Sequence, residues 1–355
     1  MMSKLLNKVL DVPQESVENK ISIEQAQSLI LSKNKKVAFF AGAGFSKAYK
    51  EDYPLGFNLF SVDDFQTLKA NFNFYTIAND LGIKAPCNES GPEFNKDCYR
   101  FFSQIKYHLD IYKRYPSLMP SFLDYSGIHF LEEEIRKFIK NRFVDLVGED
   151  ELQLNCNTSS NLTSFFESIV ELKDFTFITT NYDYVIEKLL YHSKPSIKIN
   201  RGITSKKCFD EVNTGRATIS LFKINGGFDI HQDHKGRYCV DYSSKEVPNI
   251  ILPSEEQNYD DKYFRTIFLK SAEKLRQAEL LIFVGYSLPY EDKAIQFLLK
   301  NFSDSTSNNK QIIFMGRSYN SAKEKLAKLR DLFPAVFEKG GVSLLDGSFE
   351  DFIKP

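Results

Sequence analysis

The stretch V37-A-F-F-A41-G42-A-G44-F-S46 opens with five apolar residues and then breaks on glycine. A strand with one face in water alternates apolar and polar residues, so a run apolar at every position must be buried on both faces. Four further runs have this character: F175-T-F-I-T179, I219-S-L-F-K-I224, L280-L-I-F-V284 and I312-I-F-M315. Buried helix segments would look similar over so few residues, but helices seldom stop after five. A turn-type cluster follows every run: G42-A-G, T180-N-Y-D, N225-G-G, G285-Y-S-L-P and G316-R-S. Short doubly buried strands separated by helical stretches predict a parallel sheet covered by helices.

Helical patterning fills the gaps at Ile23–Lys33, Tyr184–His192, Tyr263–Gln277, Asp292–Asn301 and Tyr319–Leu332, with a last short strand over Gly341–Leu345. The segment from about 59 to 163 departs from this rhythm. It carries amphipathic pieces, F101-F-S-Q-I-K-Y-H-L-D-I-Y112 and F130-L-E-E-E-I-R-K-F-I139, interrupted by P86-C-N-E-S-G-P92. It reads as a mostly helical insertion between the first two sheet strands. The expected class is α/β: a Rossmann-like parallel sheet with helices on both faces, in a single domain over 1–355. A polar stretch from Lys206 to Asp241 leaves room for a small hairpin at R237-Y-C-V-D241.

Composition narrows the function classes. The chain is 42% hydrophobic and 26% charged, as folded soluble proteins are, and its formal net charge of -1 gives no reason to expect direct nucleic-acid or anionic-membrane binding. No apolar run approaches the ~20 residues that span a bilayer. Met1–Gln14 lacks the apolar core and cleavage site of a secretory signal, so a cytoplasmic protein is expected. Cys87, Cys98, Cys156, Cys208 and Cys239 form no C-x-x-C pair, so neither a zinc ribbon nor a redox dithiol is expected, and reduced structural thiols fit better. The load of 32 Phe suits a large core or a buried oligomer contact.

In an open parallel sheet, ligands bind beyond the carboxyl ends of the strands. All the turn clusters belong to that edge. The first, G42-A-G44-F-S46, can bring backbone N–H groups close to a pyrophosphate, or can be only a tight strand-to-helix turn. It is an incomplete dinucleotide fingerprint: the third glycine of G-x-G-x-x-G falls at Lys47, and no second strand carrying an acid follows some ~20 residues on, which disfavours a hydride-transfer dehydrogenase. In the second loop, Asp183 suits an N-cap and Asn181 can orient a water or a ribose hydroxyl. The fourth offers Gly285, Ser287 and a stiffening Pro289, with Asp292 as an N-cap.

Four of these loops, in order, resemble the sirtuin-like NAD-consuming family: strand-G42-A-G-F-S46, strand-T-T-N181-Y-D183, K223-I-N-G226 and strand-G285-Y-S-L-P289. They span roughly Lys35 to Arg317. The protein deacylases of that family carry a four-cysteine zinc module and a G-I-P-D-F-R-like segment. This chain has no paired cysteines, and Y53-P-L-G-F-N-L-F60 stands in place of that segment. It looks more like the bacterial branch that hydrolyses NAD in defence against phage, with NAD as substrate and no zinc. The resemblance places Gly42, Ala43, Gly44, Phe45 and Ser46 around the pyrophosphate. Thr180, Asn181 and Asp183 would sit by the nicotinamide ribose, Asn181 positioning water. Gly285 and Ser287 would meet the adenosine ribose, and Gly316 and Arg317 the adenine end. It also implies a homo-oligomer shaped by the helical insertion. With no evident sensor domain after Leu345, a separate activating protein is expected, such as a HerA-type ATPase or a short Argonaute-type protein.

The third loop departs from the family pattern. Lys-x-His-Gly, with His as general base, reads here K223-I-N225-G226. An amide cannot take up a proton near neutral pH, though it can hydrogen-bond a ribose hydroxyl. Asn225 therefore marks one of three things: an inactivated variant, a member in which Asn181 or a carboxylate such as Asp183 or Asp229 suffices, or a subunit that binds NAD without cleaving it. An Asn-Gly pair is also a strong hairpin signal. His231 and His234 read as solvated loop histidines and receive no role.

Overall fold

Among the described residues ten strands follow one another: β1 (Lys20–Ile21), β2 (Val37–Ala41), β3 (Phe175–Thr179), β4 (Ile199–Asn200), β5 (Ile219–Lys223), β6 (Ile230–Gln232), β7 (Tyr238–Val240), β8 (Leu280–Val284), β9 (Gln311–Met315) and β10 (Val342–Leu345). They are those of a computed structural model, which describes residues 20–32, 35–61, 71–86, 92–154, 162–172, 174–203, 219–233, 235–252, 257–290, 292–303 and 309–354. Cys87, Cys156, Cys208, His234 and parts of the 59–163 segment lie outside these. Cys98 is buried and Cys239 half-buried.

Eight strands form one sheet in the order β1-β10-β9-β8-β2-β3-β5-β4, parallel at every pairing. Between the two-residue edge strands, the inner six follow the 3-2-1-4-5-6 order of a doubly wound sheet. The chain winds outward from β2 through β3 to β5, then crosses back to β8 on the other side of β2. The winding therefore reverses beside β2.

Alternation within the doubly apolar runs explains why helices cover both faces. Val37, Phe39 and Ala41 of β2 enter one core while Ala38 and Phe40 enter the other. On the first face Phe177 of β3 stacks on Phe166, centroids 5.4 Å apart. Helices Ile23–Ile30, Leu162–Ile169 and Val185–Ser193 supply that face. The connection from β2 to β3 adds Pro92–Arg114 and Tyr125–Val147, through Phe101, Phe102, Ile135 and Phe138. Helices Lys262–Gln277, Lys293–Lys300 and Leu326–Leu332 cover the second face. Each such apolar side chain taken from water contributes about 1.5–3 kcal/mol.

Three expectations change in detail. Tyr319–Leu332 is two helices, Tyr319–Lys323 and Leu326–Leu332. At the break the Lys325 N–H bonds three residues back to Ala322 instead of four, which tightens the turn and ends the first helix. The opening helix stops at Ile30. Asp292 stands at the start of Lys293–Lys300 without a side-chain cap bond, and accepts the Tyr286 hydroxyl instead at 2.7 Å. The small hairpin does form, from β6 and β7. Among the described residues β5 pairs with its parallel neighbours β3 and β4, so Asn225-Gly226 does not turn it into a hairpin there. Among the described residues no helix is long and apolar enough to cross a membrane.

Candidate functional site

Register gathers the loops. Ala41 lies opposite Thr179 and Val284, Thr179 opposite Lys223, and Val284 opposite Met315. Gly42, Thr180, Ile224, Gly285 and Gly316 therefore leave the sheet from one row, at its carboxyl edge and around the point where the winding reverses.

The first and fourth loops meet backbone to backbone. Gly42 N–H donates to Val284 O and Gly44 N–H to Gly285 O, each at 3.0 Å, and Phe45 N–H donates to Gly42 O at 2.9 Å. Gly285 holds φ +66°, and a Cβ there would lie 2.1 Å from Phe45 N. A Cβ on Gly42 would lie 2.6 Å from Gly285 O. Glycine is thus required here by the approach of two chain segments. Three of the N–H groups expected around a pyrophosphate are engaged by protein carbonyls. Phe45 turns into the core against Phe39, Phe166 and Phe349, and Ala43 is half-buried.

Ser46 and the β3 loop form one network. Buried Ser46 donates to Asp183 Oδ2 at 2.7 Å and accepts from Asn181 Nδ2 at 2.8 Å; Nδ2 also reaches Gly42 O at 3.0 Å. The helix Val185–Ser193 has Tyr184 and not Asp183 at its N-cap; from one position earlier, Asp183 Oδ1 accepts the Val185 N–H at 3.0 Å. Burial pushes the Asp183 carboxyl up, with Ser46, the Val185 N–H, Lys223 and Lys188 opposing. Ser46 therefore points at a carboxylate and not outward at a phosphate. Thr180 is half-buried, its N–H on Ala41 O at 3.2 Å. Among the described residues, Asn181 Oδ1 has no donor.

Beneath these loops lies a charge cluster that sequence reading missed. Lys223 Nζ meets Glu187 Oε1 at 2.7 Å and Asp229 Oδ1 at 3.0 Å, and donates to the Asp183 carbonyl at 2.5 Å. Arg201 meets Asp229 Oδ2 at 2.7 Å and Glu187 Oε1 at 3.2 Å. All four side chains are fully or almost fully buried. Burial drives the Asp229 carboxyl up, but Arg201 and Lys223 outweigh it and hold it below the usual carboxylate range. Burial wins at Glu187, which is raised. Asp229 is therefore committed to two cations and is not a spare base. His231 is buried rather than solvated, with Nε2 3.1 Å from Phe228 O and Nδ1 3.3 Å from Val247 O. The polar letters around it conceal the cover supplied by β7 and the 247–252 segment.

That segment straps the third loop to the second. Ile251 N–H donates to Asn225 O at 2.9 Å, Gly226 pairs with Ile250, and Tyr182 Oη donates to Ile251 O at 2.8 Å. Asn225, a residue 9% exposed, turns its side chain to Tyr259, whose hydroxyl lies 2.9 Å from Asn225 Oδ1. Burial raises the Tyr259 phenol, and Asp292, Tyr182 and Tyr99 act in the same direction from three other elements. Tyr259 sits in a stretch without periodicity and gave no signal in the sequence. Ser287 and Arg317 are exposed, and neither side chain has a hydrogen-bond partner among the described residues. Gly316 holds the start of the next helix: a Cβ there would lie 2.7 Å from Ser321 Oγ. Among the described residues no group of His, Cys, Asp or Glu is arranged to hold a metal ion.

Sheet order, glycine loops and an amide-rich carboxyl edge define a doubly wound α/β chain whose loops converge where the winding reverses. Residues 176–336, a little under half of the chain, match the model of the SIR2-like domain. The matched segment includes Asn181, Asn225, Ser287 and Arg317 and excludes the Gly42–Ser46 loop. Among solved structures, the chain is similar to a Sir2 homologue–NAD complex (10% identity, covering 95% of this chain and 94% of that one, TM-score 0.43). It is also similar to a Sir2 homologue mutant–ADP-ribose complex (11%, 89% and 97%, TM-score 0.37) and to a structure concerned with the mechanism and regulation of Sir2 enzymes (11%, 93% and 93%, TM-score 0.32). No curated protein matches the chain.

Proposed function

We propose that this chain binds NAD in the crevice and belongs to the NAD-hydrolysing, anti-phage side of the sirtuin-like proteins, cleaving NAD to nicotinamide and ADP-ribose or descending from chains that do. The observation that carries this reading is the pairing of Asn181 and Asn225 at the carboxyl ends of adjacent strands, set by the Thr179–Lys223 register, inside the SIR2-like segment.

The chemistry suits such a site. Breaking the N-glycosidic bond builds positive charge on the ribose while nicotinamide leaves neutral, so no acid is needed. The site must orient NAD and guide water, and a base adds about 10²–10⁴-fold. Asn181 Oδ1, with no donor among the described residues, can accept from a water or a ribose hydroxyl. Ser287 and Arg317 are open to the distal half of the dinucleotide. Asn225 cannot act as the base, which favours a second reading: an NAD- or ADP-ribose-binding subunit without catalysis. Activity in defence would deplete cellular NAD, so an intracellular, triggered assembly follows. Exposed Tyr115, Leu118, Phe122, Tyr125 and Phe130, all in the β2–β3 connection, supply apolar surface for an oligomer or an activating partner.

Following nicotinamide release from NAD tests both readings. Release after Asn225→His but not from the native chain identifies a hydrolase lacking its base. Binding of NAD without release by either form identifies the non-catalytic subunit. Loss of acetyl groups from acetyl-lysine peptides would overturn the branch.

A further inference from the structure

Tyr259 Oη lies 2.9 Å from Asn225 Oδ1 and equally 2.9 Å from Gln257 Oε1. A phenol carries one proton, so it cannot donate to both carbonyl oxygens. One amide must turn its NH2 toward a phenol lone pair. Gln257, Tyr259 and Asn225 thus form a hydrogen-bonded row with two senses. In one, Tyr259 donates to Asn225 Oδ1 and the Asn225 NH2 is turned away from the phenol. In the other, Tyr259 donates to Gln257 and accepts from Asn225, whose carbonyl oxygen is then the edge turned away.

The Asn225 end and the middle of the row are held in place. The Asn225 backbone is pinned by Ile251 and by the Gly226–Ile250 pairing. The Tyr259 ring packs on Phe268 with centroids 4.6 Å apart and meets Phe264 edge-on at 6.4 Å. The side-chain torsions of residues 225 and 257 and the sense of the row are left to vary. The groups facing the phenol are Asn225 on the β5 loop, Gln257 two residues before it, Tyr182 on the β3 loop, Asp292 after β8 and Tyr99 on the helix Pro92–Arg114. None is a cation, and the buried phenol keeps its proton.

The geometry points to Tyr259 as the positioning residue for side chain 225: its hydroxyl decides which edge of that side chain a ligand in the crevice meets. With an imidazole at 225, the phenol accepts one ring N–H and leaves the other nitrogen unprotonated toward the crevice, the sense a general base needs. The catalytic half of this inference rests on the NAD reading above; the positioning half does not.

The test uses the full chain carrying Asn225→His, with and without Tyr259→Phe or Gln257→Glu. The introduced imidazole is followed by NMR as a sixth histidine signal beside the native five. Nicotinamide release and the KM for NAD are measured on the same proteins. A carboxylate at 257 can only accept, so Gln257→Glu commits the phenol proton to 257 and leaves the phenol an acceptor toward 225. The expected result is that Tyr259→Phe changes the tautomer or titration midpoint of the imidazole and lowers kcat about 10- to 100-fold with KM little changed, whereas Gln257→Glu keeps tautomer and kcat. An imidazole signal indifferent to Tyr259→Phe overturns the positioning role. Loss of kcat in Gln257→Glu equal to that in Tyr259→Phe does the same, and this variant serves if Tyr259→Phe fails to fold. A signal that moves while no form binds or cleaves NAD keeps Tyr259 as the positioning residue and removes the NAD reading.

Discussion

Lys223 Nζ donates to the main-chain carbonyl of Asp183 at 2.5 Å, joining the end of β5 to the loop after β3. The same ammonium neutralises Glu187 and Asp229. Replacing it by Met keeps the stem and leaves two buried carboxylates with Arg201 alone. Breaking a buried ion pair from one side costs about 3–5 kcal/mol. Lys223→Met should lower the urea midpoint accordingly and abolish ligand binding. A loss under 1 kcal/mol would mean the cluster relaxes without its lysine.

Gly285→Ala tests the contact between the first and fourth loops. The new methyl must share space with Phe45 N while the backbone keeps φ +66°. Left-handed strain and overpacking together cost about 2–4 kcal/mol. Thermal melting should register that loss, and any NAD binding should weaken with it. Gly236→Ala also carries a positive φ but meets nothing within 4 Å, so it should cost only the strain.

Ser46→Ala removes the hydroxyl that donates to Asp183. A buried acceptor left without its donor costs about 1–3 kcal/mol. The sign with pH follows from the raised Asp183 carboxyl. A carboxyl raised in the folded state favours folding most at low pH, and loses that contribution as pH rises through its folded value. Ser46 favours the charged form, so the stability gap between native chain and variant should narrow as pH falls. Urea titrations at several pH values measure it; a pH-independent gap would contradict the assignment.

His231 gives the opposite edge. Burial, followed by Lys140, lowers its imidazole below the ordinary 6.5 against the pull of the Val247 and Phe228 carbonyls and Asp229. A base lowered on folding binds fewer protons folded than unfolded, so stability falls as pH drops through the unfolded value toward the folded one. Between pH 7.5 and 5.5, His231→Gln should lose less stability than the native chain. An equal or larger loss would show that the imidazole is not held neutral.

The sheet was readable because β2, β3, β5, β8 and β9 are apolar on both faces and end in turn residues. β1 and β4, with two residues each, are too short to show a period. The site was readable only in outline. Motifs located Asn181, Asp183 and Asn225 at strand ends, but side-chain direction is set by packing, so Ser46 was expected to face outward and is buried against Asp183. The Lys223–Glu187–Arg201–Asp229 cluster draws on a strand, a helix and two loops, and pairwise contact over such separations leaves no spacing to read. Tyr259 lay in a polar stretch, and only the fold brings its hydroxyl to residue 225.

The central position of β2 bears on how the chain can assemble during synthesis. Its partners, through Val37↔Phe175 and Val37↔Leu280, are encoded far downstream. The two long helices of the β2–β3 connection can meet while β3 is still unmade, since their contacts are local. β3 can pair one edge of the strand first, but the other edge must wait until Leu280–Val284 emerges, a delay in which VAFFA is open to capture by chaperones or by another nascent copy.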